Sequence, residues 1–345
     1  MRILVDAMSG DNAPLEILKG IEAAAKEYRD HSILLVGDEN VISDISVQNE
    51  IDLTGIEIIN AVSVITMEDN PLCVIKEKRD SSMSVGLKSL ARGDVDAFVS
   101  AGNTGALITG ATIIVKRITG INRPAIASVL PLSNPVLLMD SGANLTVSSD
   151  NICQFAFMGA KYMEKIYSID RPRIGLLNNG TEYNKGNAWQ IESYQLLGDS
   201  GLNFVGNVEG KEVIFDTCDV LVTDGYTGNI FLKTVEGMGK FLLNTLKEVL
   251  TTNIVTKLST LTMNTEIKEM KTRFDSAEHG GAPLLGISKP VIKAHGSSKA
   301  KAIKNAVRQA INFCETGIND DIAKFAQDYD DKKILADAEK LYTDI

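Results

Sequence analysis

Short β-branched runs alternating with longer amphipathic stretches predict a doubly wound, largely parallel α/β protein. Three observations carry this reading. Most candidate strands are continuous apolar runs rather than strict alternations, which suits strands covered on both faces. The gaps between them show helical periodicity. Polar, glycine-containing loops follow several strands at the carboxyl end, where such sheets bind their ligands. The chain has 345 residues, room for about two domains or one large one. No low-complexity linker divides it, so one domain over 1–345 is expected.

In chain order, strands are expected at 2–5, 33–36, 56–59, 97–100, 125–130, 136–139, 173–177, 203–205 and 220–223. Helices are expected at 14–28, 104–117, 151–166 and 227–250. The longest uncharged run, 97–115, is 19 residues long, enough to raise the membrane question. Its Ser100, Asn103, three Thr and three Gly read instead as strand, loop and helix start.

Composition narrows the function. Hydrophobic residues make up 44% and charged residues 23%, an ordinary globular balance. With 35 basic against 45 acidic residues the net charge is -10, which weighs against nucleic acid as the principal partner. Cys73, Cys153, Cys218 and Cys314 are scattered, with neither a disulfide framework nor zinc-ligand spacing. They read as free thiols of a reducing compartment. The N-terminus reaches Asp6 before any signal-peptide core develops, so a cytoplasmic protein is expected.

Five strand-end loops carry the chemistry: 6–14 (DAMSGDNAP), 100–106 (SAGNTGA), 140–144 (DSGAN), 178–187 (NNGTEYNKGN) and 223–229 (TDGYTGN). Glycine lets a backbone turn its N–H groups inward, and a following helix start adds partial positive charge, so each suits an anion. Plain turns are the alternative for any one of them. No P-loop, dinucleotide fingerprint, serine-hydrolase elbow or zincin helix is present. Asp6, Asp11, Asp140 and Asp224 stand at strand ends, where capping explains them without metal. No cofactor is expected. Lys185 lies inside the fourth loop, and His295 follows Lys293 in PVIKAHGSS at 290–298. A solvated lysine and a packed histidine are the competing readings.

Two further stretches stand out. Between 279 and 314 there is no acid, yet Lys289, Lys293, Lys299, Lys301, Lys304 and Arg308 occur, forming either a solvated helix face or a docking patch for an acidic partner. From 249 to 265 the only charge is Lys257, and Leu250, Ile254, Leu258 and Leu261 recur at helical spacing. Such a stripe suits a core, a dimer interface or a membrane surface.

Taken together, DAM at 6–8, GD at 10–11, SAGNTGA at 100–106, GAN at 142–144, GLLN at 175–178, KGN at 185–187, GNVE at 206–209, TDG and TGN between 223 and 229, GGA at 280–282 and PVIKAHGSS at 290–298 resemble the bacterial phosphate acyltransferase (PlsX) family. The motifs run in order over almost the whole chain. The resemblance implies a three-layer α/β/α, Rossmann-like fold similar to phosphotransacetylases, with a protruding helical hairpin at 237–275. It implies a homodimer, peripherally associated with the membrane through an apolar tip that includes Ile254, Val255, Leu258 and Leu261. The implied reaction moves a fatty acyl group from acyl carrier protein to inorganic phosphate. The acyl-phosphate then passes to a membrane-bound glycerol-3-phosphate acyltransferase for phospholipid synthesis.

A thioester is already activated, so phosphate can attack it directly, which agrees with the absence of a nucleophilic triad. Lys185, His295 and Asn229 are the expected catalytic residues. Phosphate and substrate are expected at Asp6, Gly10, Asp11, Ser100, Gly102, Asn103, Thr104, Gly105, Asp140, Asn144, Asp224, Thr227, Gly228 and Lys293, with loop N–H groups and side chains as donors. The chain departs from the family in having Ser9 where glycine is usual, which predicts local strain if that position takes a positive φ, and Asn12 where histidine is frequent. Two alternatives stay open: a soluble phosphate acetyl- or butyryltransferase using acyl-CoA, and a non-catalytic regulator that binds the acyl carrier.

Overall fold

The computed structural model describes residues 1–252, 265, 267, 270, 272, 276–278 and 280–329. The expected parallel strands are shared between two sheets rather than gathered in one. The first sheet contains β1 (Arg2–Asp6), β2 (Ser32–Gly37), β3 (Glu57–Asn60), β4 (Ala97–Ser100), β5 (Ala125–Ile126), β11 (Ala282–Leu285) and β12 (Val291–Lys293), in the order β3-β2-β1-β4-β12-β11-β5. The second contains β6 (Ser128–Leu130), β7 (Val136–Met139), β8 (Ile174–Asn178), β9 (Phe204–Glu209) and β10 (Val220–Val222), in the order β6-β7-β10-β8-β9. Only β11, which runs against both its neighbours, and β6 against β7 depart from parallel pairing.

The strand expected at 125–130 is in fact the bridge between the sheets. Ala125 and Ile126 pair with β11, Ser128 to Leu130 pair with β7, and Ala127 between them is buried. One buried residue therefore passes the chain from sheet to sheet.

Alternating side chains of each strand serve opposite faces. In β1, Ile3 and Val5 join α1 (Leu15–Glu27) and α8 (Ala300–Thr316), through Ile17, Ile21, Ile303 and Val307. Leu4 faces the other way, with Phe98, toward Met83 and Leu87 of α3 (Ser82–Arg92) and Leu107 of α4 (Thr104–Gly110). The first sheet is thus the middle of three layers. In β7, Leu137 and Met139 pack on Ile152 and Phe155 of α5 (Ser149–Tyr167), whereas Leu138 meets Val208, Leu221 and Phe231. Burying each such aliphatic side chain is worth about 1.5–3 kcal/mol before entropy is counted.

Two shorter helices flank the sheets, α2 (Glu39–Gln48) and α6 (Ala188–Asp199), and a last helical stretch runs from 318 to 329. α8 also touches the second half, where Gln309 Nε2 donates to the Tyr162 hydroxyl at 2.5 Å. α7 (Gly225–Thr251) is different in kind. Of its 27 residues only Gly225, Gly228 and Gly239 are buried, and Met238, Phe241, Leu242 and Val249 are exposed. About half of the hairpin expected at 237–275, including all four tip residues, Ile254, Val255, Leu258 and Leu261, lies outside the described residues. Among the described residues no helix is long and apolar enough to cross a membrane. The four cysteines are free, with Cys73, Cys153 and Cys218 buried.

Candidate active site

Register brings the first set of expected residues together. Val5 lies opposite Val99 and Lys293 opposite Ser100, so Asp6, Ser100 and Lys293 end three adjacent parallel strands. The Ser100 hydroxyl donates to Asp6 at 2.9 Å and accepts the Gly102 N–H at 3.1 Å. Asp6 is wholly buried, and burial pushes its carboxyl up, opposed by hydrogen bonds from the Ser100 hydroxyl and the Met8 N–H.

The loop after β1 is stitched to the loop after β12. The Asp11 N–H donates to the Gly296 carbonyl at 2.8 Å, and the Asn12 amide donates to the Ser297 and Ser298 carbonyls at 3.1 and 3.3 Å. Asn12 is thus a staple between loops. Gly10 carries the positive φ, +116°, and a Cβ there would stand 3.0 Å from Ala101 Cβ and 3.1 Å from the Gly296 carbonyl oxygen. Ser9 is spared the expected strain because the next residue turns the chain.

Some expected ligand contacts are taken up inside the protein. Asn103 caps α4, accepting the Ala106 N–H at 3.0 Å, while its amide donates to the carbonyls of Thr66, Met67 and Asp69 at 3.2 Å each. Its side chain braces the turn instead of offering a donor to phosphate. Thr104 and Gly105 form the first turn of α4, where Gly105 lies against Pro71. Asp140 accepts N–H groups of Ile126, Gly142, Ala143 and Asn144 at 2.7–3.1 Å and the Asn144 amide at 2.9 Å. The Asn144 amide also reaches the Pro124 carbonyl at 2.8 Å. Asp140 and the Asn144 amide nitrogen therefore fix the loop. Asp224 caps α7, accepting the Thr227 N–H at 2.8 Å and hydroxyl at 2.7 Å. Of the four strand-end aspartates Asp224 caps a helix, whereas Asp140 orders a loop and Pro14, not Asp6 or Asp11, stands at the N-cap of α1. Gly228 lets α7 pass directly over the Asp140 carbonyl, and exposed Asn229 faces Gly142 with 3.7 Å from its Cβ to where a Gly142 Cβ would stand.

The α7 helix of the second half meets the loop after β12 of the first at a histidine. Lys233 Nζ, on α7, lies 2.9 Å from His295 Nε2, and 2.8 Å from a Glu236 carboxylate oxygen. Ser297 Oγ is 2.9 Å from His295 Nδ1. Burial, then repulsion from Lys233, lowers the His295 pKa, so the ring favours its neutral form. Lys293 is brought down to about 8 by burial and by Lys233, with Asp11 acting the other way. Its ammonium also bonds the Ala294 carbonyl. Lys233 and Lys293 both bring positive charge to bear on the histidine, and Glu236 offsets that of Lys233.

On another face of α7, that of Thr227, Ile230, Phe231 and Thr234, a cavity of about 540 Å³ separates the helix from the fourth loop. Its walls mix Leu177, Ile230 and Phe231 with Asn178, Thr227 and Thr234. Lys185 belongs to that loop, but it is exposed, stands 3.9 Å from Glu182, and has no contact with His295 among the described residues.

The sequence profile of the family described as "Fatty acid synthesis protein" matches residues 1–321. A curated phosphate acyltransferase of Thermoanaerobacter pseudethanolicus is 46% identical over 319 residues, covering 92% of this chain and 95% of the relative. One of Bacillus pumilus is 44% identical, covering 92% and 96%. The chain belongs to the phosphate acyltransferase family. It is accordingly an acyltransferase. A phosphotransacetylase from Streptococcus pyogenes superposes with a TM-score of 0.61 at 16% identity, covering 91% of this chain and 94% of that one. The EutD phosphotransacetylase from Staphylococcus aureus gives 0.56 at 14% identity, covering 92% and 93%. These show a shared three-layer α/β fold.

Two features of this phosphate acyltransferase escaped the sequence reading. Lys233 was not singled out, although Asn229, Lys233, Glu236 and Lys240 recur at helical spacing and mark a polar stripe toward the loops. The cation-rich stretch is largely engaged: Lys289 bonds the Leu90 carbonyl, Lys301 pairs with Glu278, Lys304 with Glu27, and Arg308 bonds the Glu278 carbonyl. Four of the six cations at 289–308 thus serve the fold, which leaves a docking patch little free charge.

Proposed function

We propose that this acyltransferase moves a fatty acyl group from acyl carrier protein to inorganic phosphate, at the junction of Lys233, Lys293 and His295. The observation that carries the reading is that one helix, α7, presents Lys233 to the cationic junction and Thr227, Ile230, Phe231 and Thr234 to a partly apolar cavity: one suits phosphate, the other an acyl chain. Hydrogen phosphate attacks the thioester carbonyl carbon, a C–O bond forms, and the C–S bond then breaks. The phosphate's own proton passes through His295 Nε2 to the departing sulfur. The products are acyl-phosphate dianion and free thiol, so no outside proton is consumed. Lys293, and Lys185 if its loop closes on bound substrate, offset the oxyanion charge.

The product would supply a membrane-bound glycerol-3-phosphate acyltransferase in phospholipid synthesis, and the enzyme would work in the cytoplasm as a homodimer resting on the membrane surface. The exposed apolar side chains of α7 support such a covered helix.

The test is release of free carrier protein from long-chain acyl carrier protein, with and without inorganic phosphate, trapping acyl-phosphate with hydroxylamine. Phosphate-dependent release is expected. Turnover confined to short acyl-CoA would instead indicate a soluble acetyl- or butyryltransferase, and carrier binding without turnover a regulator.

A further inference from the structure

His295 has two polar neighbours on one nitrogen that make incompatible demands. Both the Ser297 hydroxyl, at 2.9 Å, and the Ser297 backbone N–H, at 3.2 Å, address Nδ1. The N–H can only donate, so it requires a bare Nδ1 and places the ring hydrogen on Nε2. The hydroxyl can accept, so it permits the hydrogen on Nδ1. What stands at Nε2 decides between them, and that is the Lys233 ammonium at 2.9 Å, a group with donors only. An ammonium facing an N–H would be a donor against a donor. The ammonium is charged and nearer than the Ser297 N–H, so its demand prevails: Nε2 is bare, the ring hydrogen sits on Nδ1, Ser297 Oγ accepts it, and the Ser297 N–H gives up the ring.

We propose that Lys233 is a positioning residue that selects the Nδ1–H tautomer of His295 and so keeps Nε2 a proton acceptor. The assignment of a reaction to this junction rests on the function proposed above; the choice of tautomer does not. Without Lys233, the fixed Ser297 N–H prevails and the ring turns its Nε2 into a donor. A donor there cannot take the proton of the attacking phosphate, whereas a bare Nε2 takes it once the ammonium turns from the ring to the phosphate. The other charges facing this contact are Glu236 and Lys240 on α7 and Lys293 on β12, with Asp11 opposite Lys293. Glu236 pairs with the Lys233 ammonium at 2.8 Å, which favours its charged, donor-only form. Lys293 and Lys240 disfavour a charged ring, as a base awaiting a proton requires.

The full-length protein with 15N-labelled histidine reads the tautomer directly. Only three histidines occur, and His295→Asn identifies the relevant signals. At a pH where the ring is neutral, wild type is expected to show hydrogen on Nδ1, Lys233→Met hydrogen on Nε2, and Lys233→Arg, again a pure donor, the wild-type pattern. The same tautomer in wild type and Lys233→Met would overturn the proposal whatever the enzyme's reaction proves to be. In phosphate-dependent turnover, Lys233→Met should lower kcat roughly 10²-fold, leave KM for the acyl donor unchanged, and recover in part as Lys233→Arg. Lys233→Met combined with His295→Asn should be no slower than His295→Asn alone, because the two residues act as one unit. Additive losses would overturn the link. A wild-type protein without phosphate-dependent turnover would defeat the function proposed above while leaving the spectroscopic result to stand.

Discussion

Gly228 lies against the backbone of Asp140 so closely that a Cβ on it would stand 2.0 Å from the Asp140 carbonyl oxygen. This contact lets α7 start at the end of the second sheet and carry Asn229, Lys233 and Glu236 toward the loops of the first. Gly228→Ala must push helix from strand end, and overpacking of this kind costs about 1–3 kcal/mol. Denaturant unfolding should show that loss, with turnover falling alongside. Gly237→Ala, on the same helix but with open space around it, should be neutral or stabilise by up to ~1 kcal/mol; equal losses at both positions would contradict the close-contact account.

Ser100 supports a buried carboxylate. Ser100→Ala removes the donor to Asp6 and should cost about 1–3 kcal/mol. Because burial raises the folded pKa of Asp6 above its ordinary 3.8, the folded state holds that proton more tightly than the unfolded chain. Its contribution is therefore fully present below 3.8 and is lost as pH rises through the folded value. Ser100→Ala should steepen this loss, seen as a larger fall in Tm from acid toward neutral pH than wild type shows.

Lys293 has the opposite slope. Its pKa falls to about 8 from an ordinary 10.5, so between those values the unfolded chain binds more protons and stability rises with pH. Lys293→Met should flatten that rise. Inorganic phosphate, by adding an anion to the junction, should raise the Tm of wild type below about pH 8 and raise that of Lys293→Met distinctly less. An equal phosphate effect on both would remove Lys293 from the anion site.

On the proposed function, the cavity wall should set the acyl length. Thr234 and Phe231 stand along it, so Thr234→Trp should cut kcat/KM for long acyl donors about tenfold or more while sparing short ones, given that one or two methylenes are worth roughly 1–3 kcal/mol. A uniform loss across chain lengths would place the chain elsewhere.

The exposed face of α7 predicts association. Phe241 is 62% and Leu242 46% exposed, so Phe241→Asp with Leu242→Asp should convert a dimer into monomers in sedimentation velocity. Liposome flotation that persists in Ile254→Asp with Leu258→Asp would argue against the membrane tip at those positions.

Composition and periodicity were enough for the α/β class, for nine strand regions and for the loops at their ends, because a strand covered on both faces must be apolar throughout and an anion loop needs glycine and capping groups. Strands β11 and β12 were missed: four residues with a proline and three residues behind a proline carry too little periodicity. The division into two sheets was hidden as well, since the run from 125 to 130 has one hydropathy whichever sheet it joins. The motif order pointed to the phosphate acyltransferase family. It did not separate residues that shape the loops, such as Asn103, Asp140 and Asn144, from those that face the cleft, because both need polar side chains beside glycine. Only the tertiary structure set Lys233 against His295, 62 residues apart in the chain, because the meeting of α7 with the loop after β12 depends on how two separately twisted sheets pack, a property of the whole fold that local pattern does not encode.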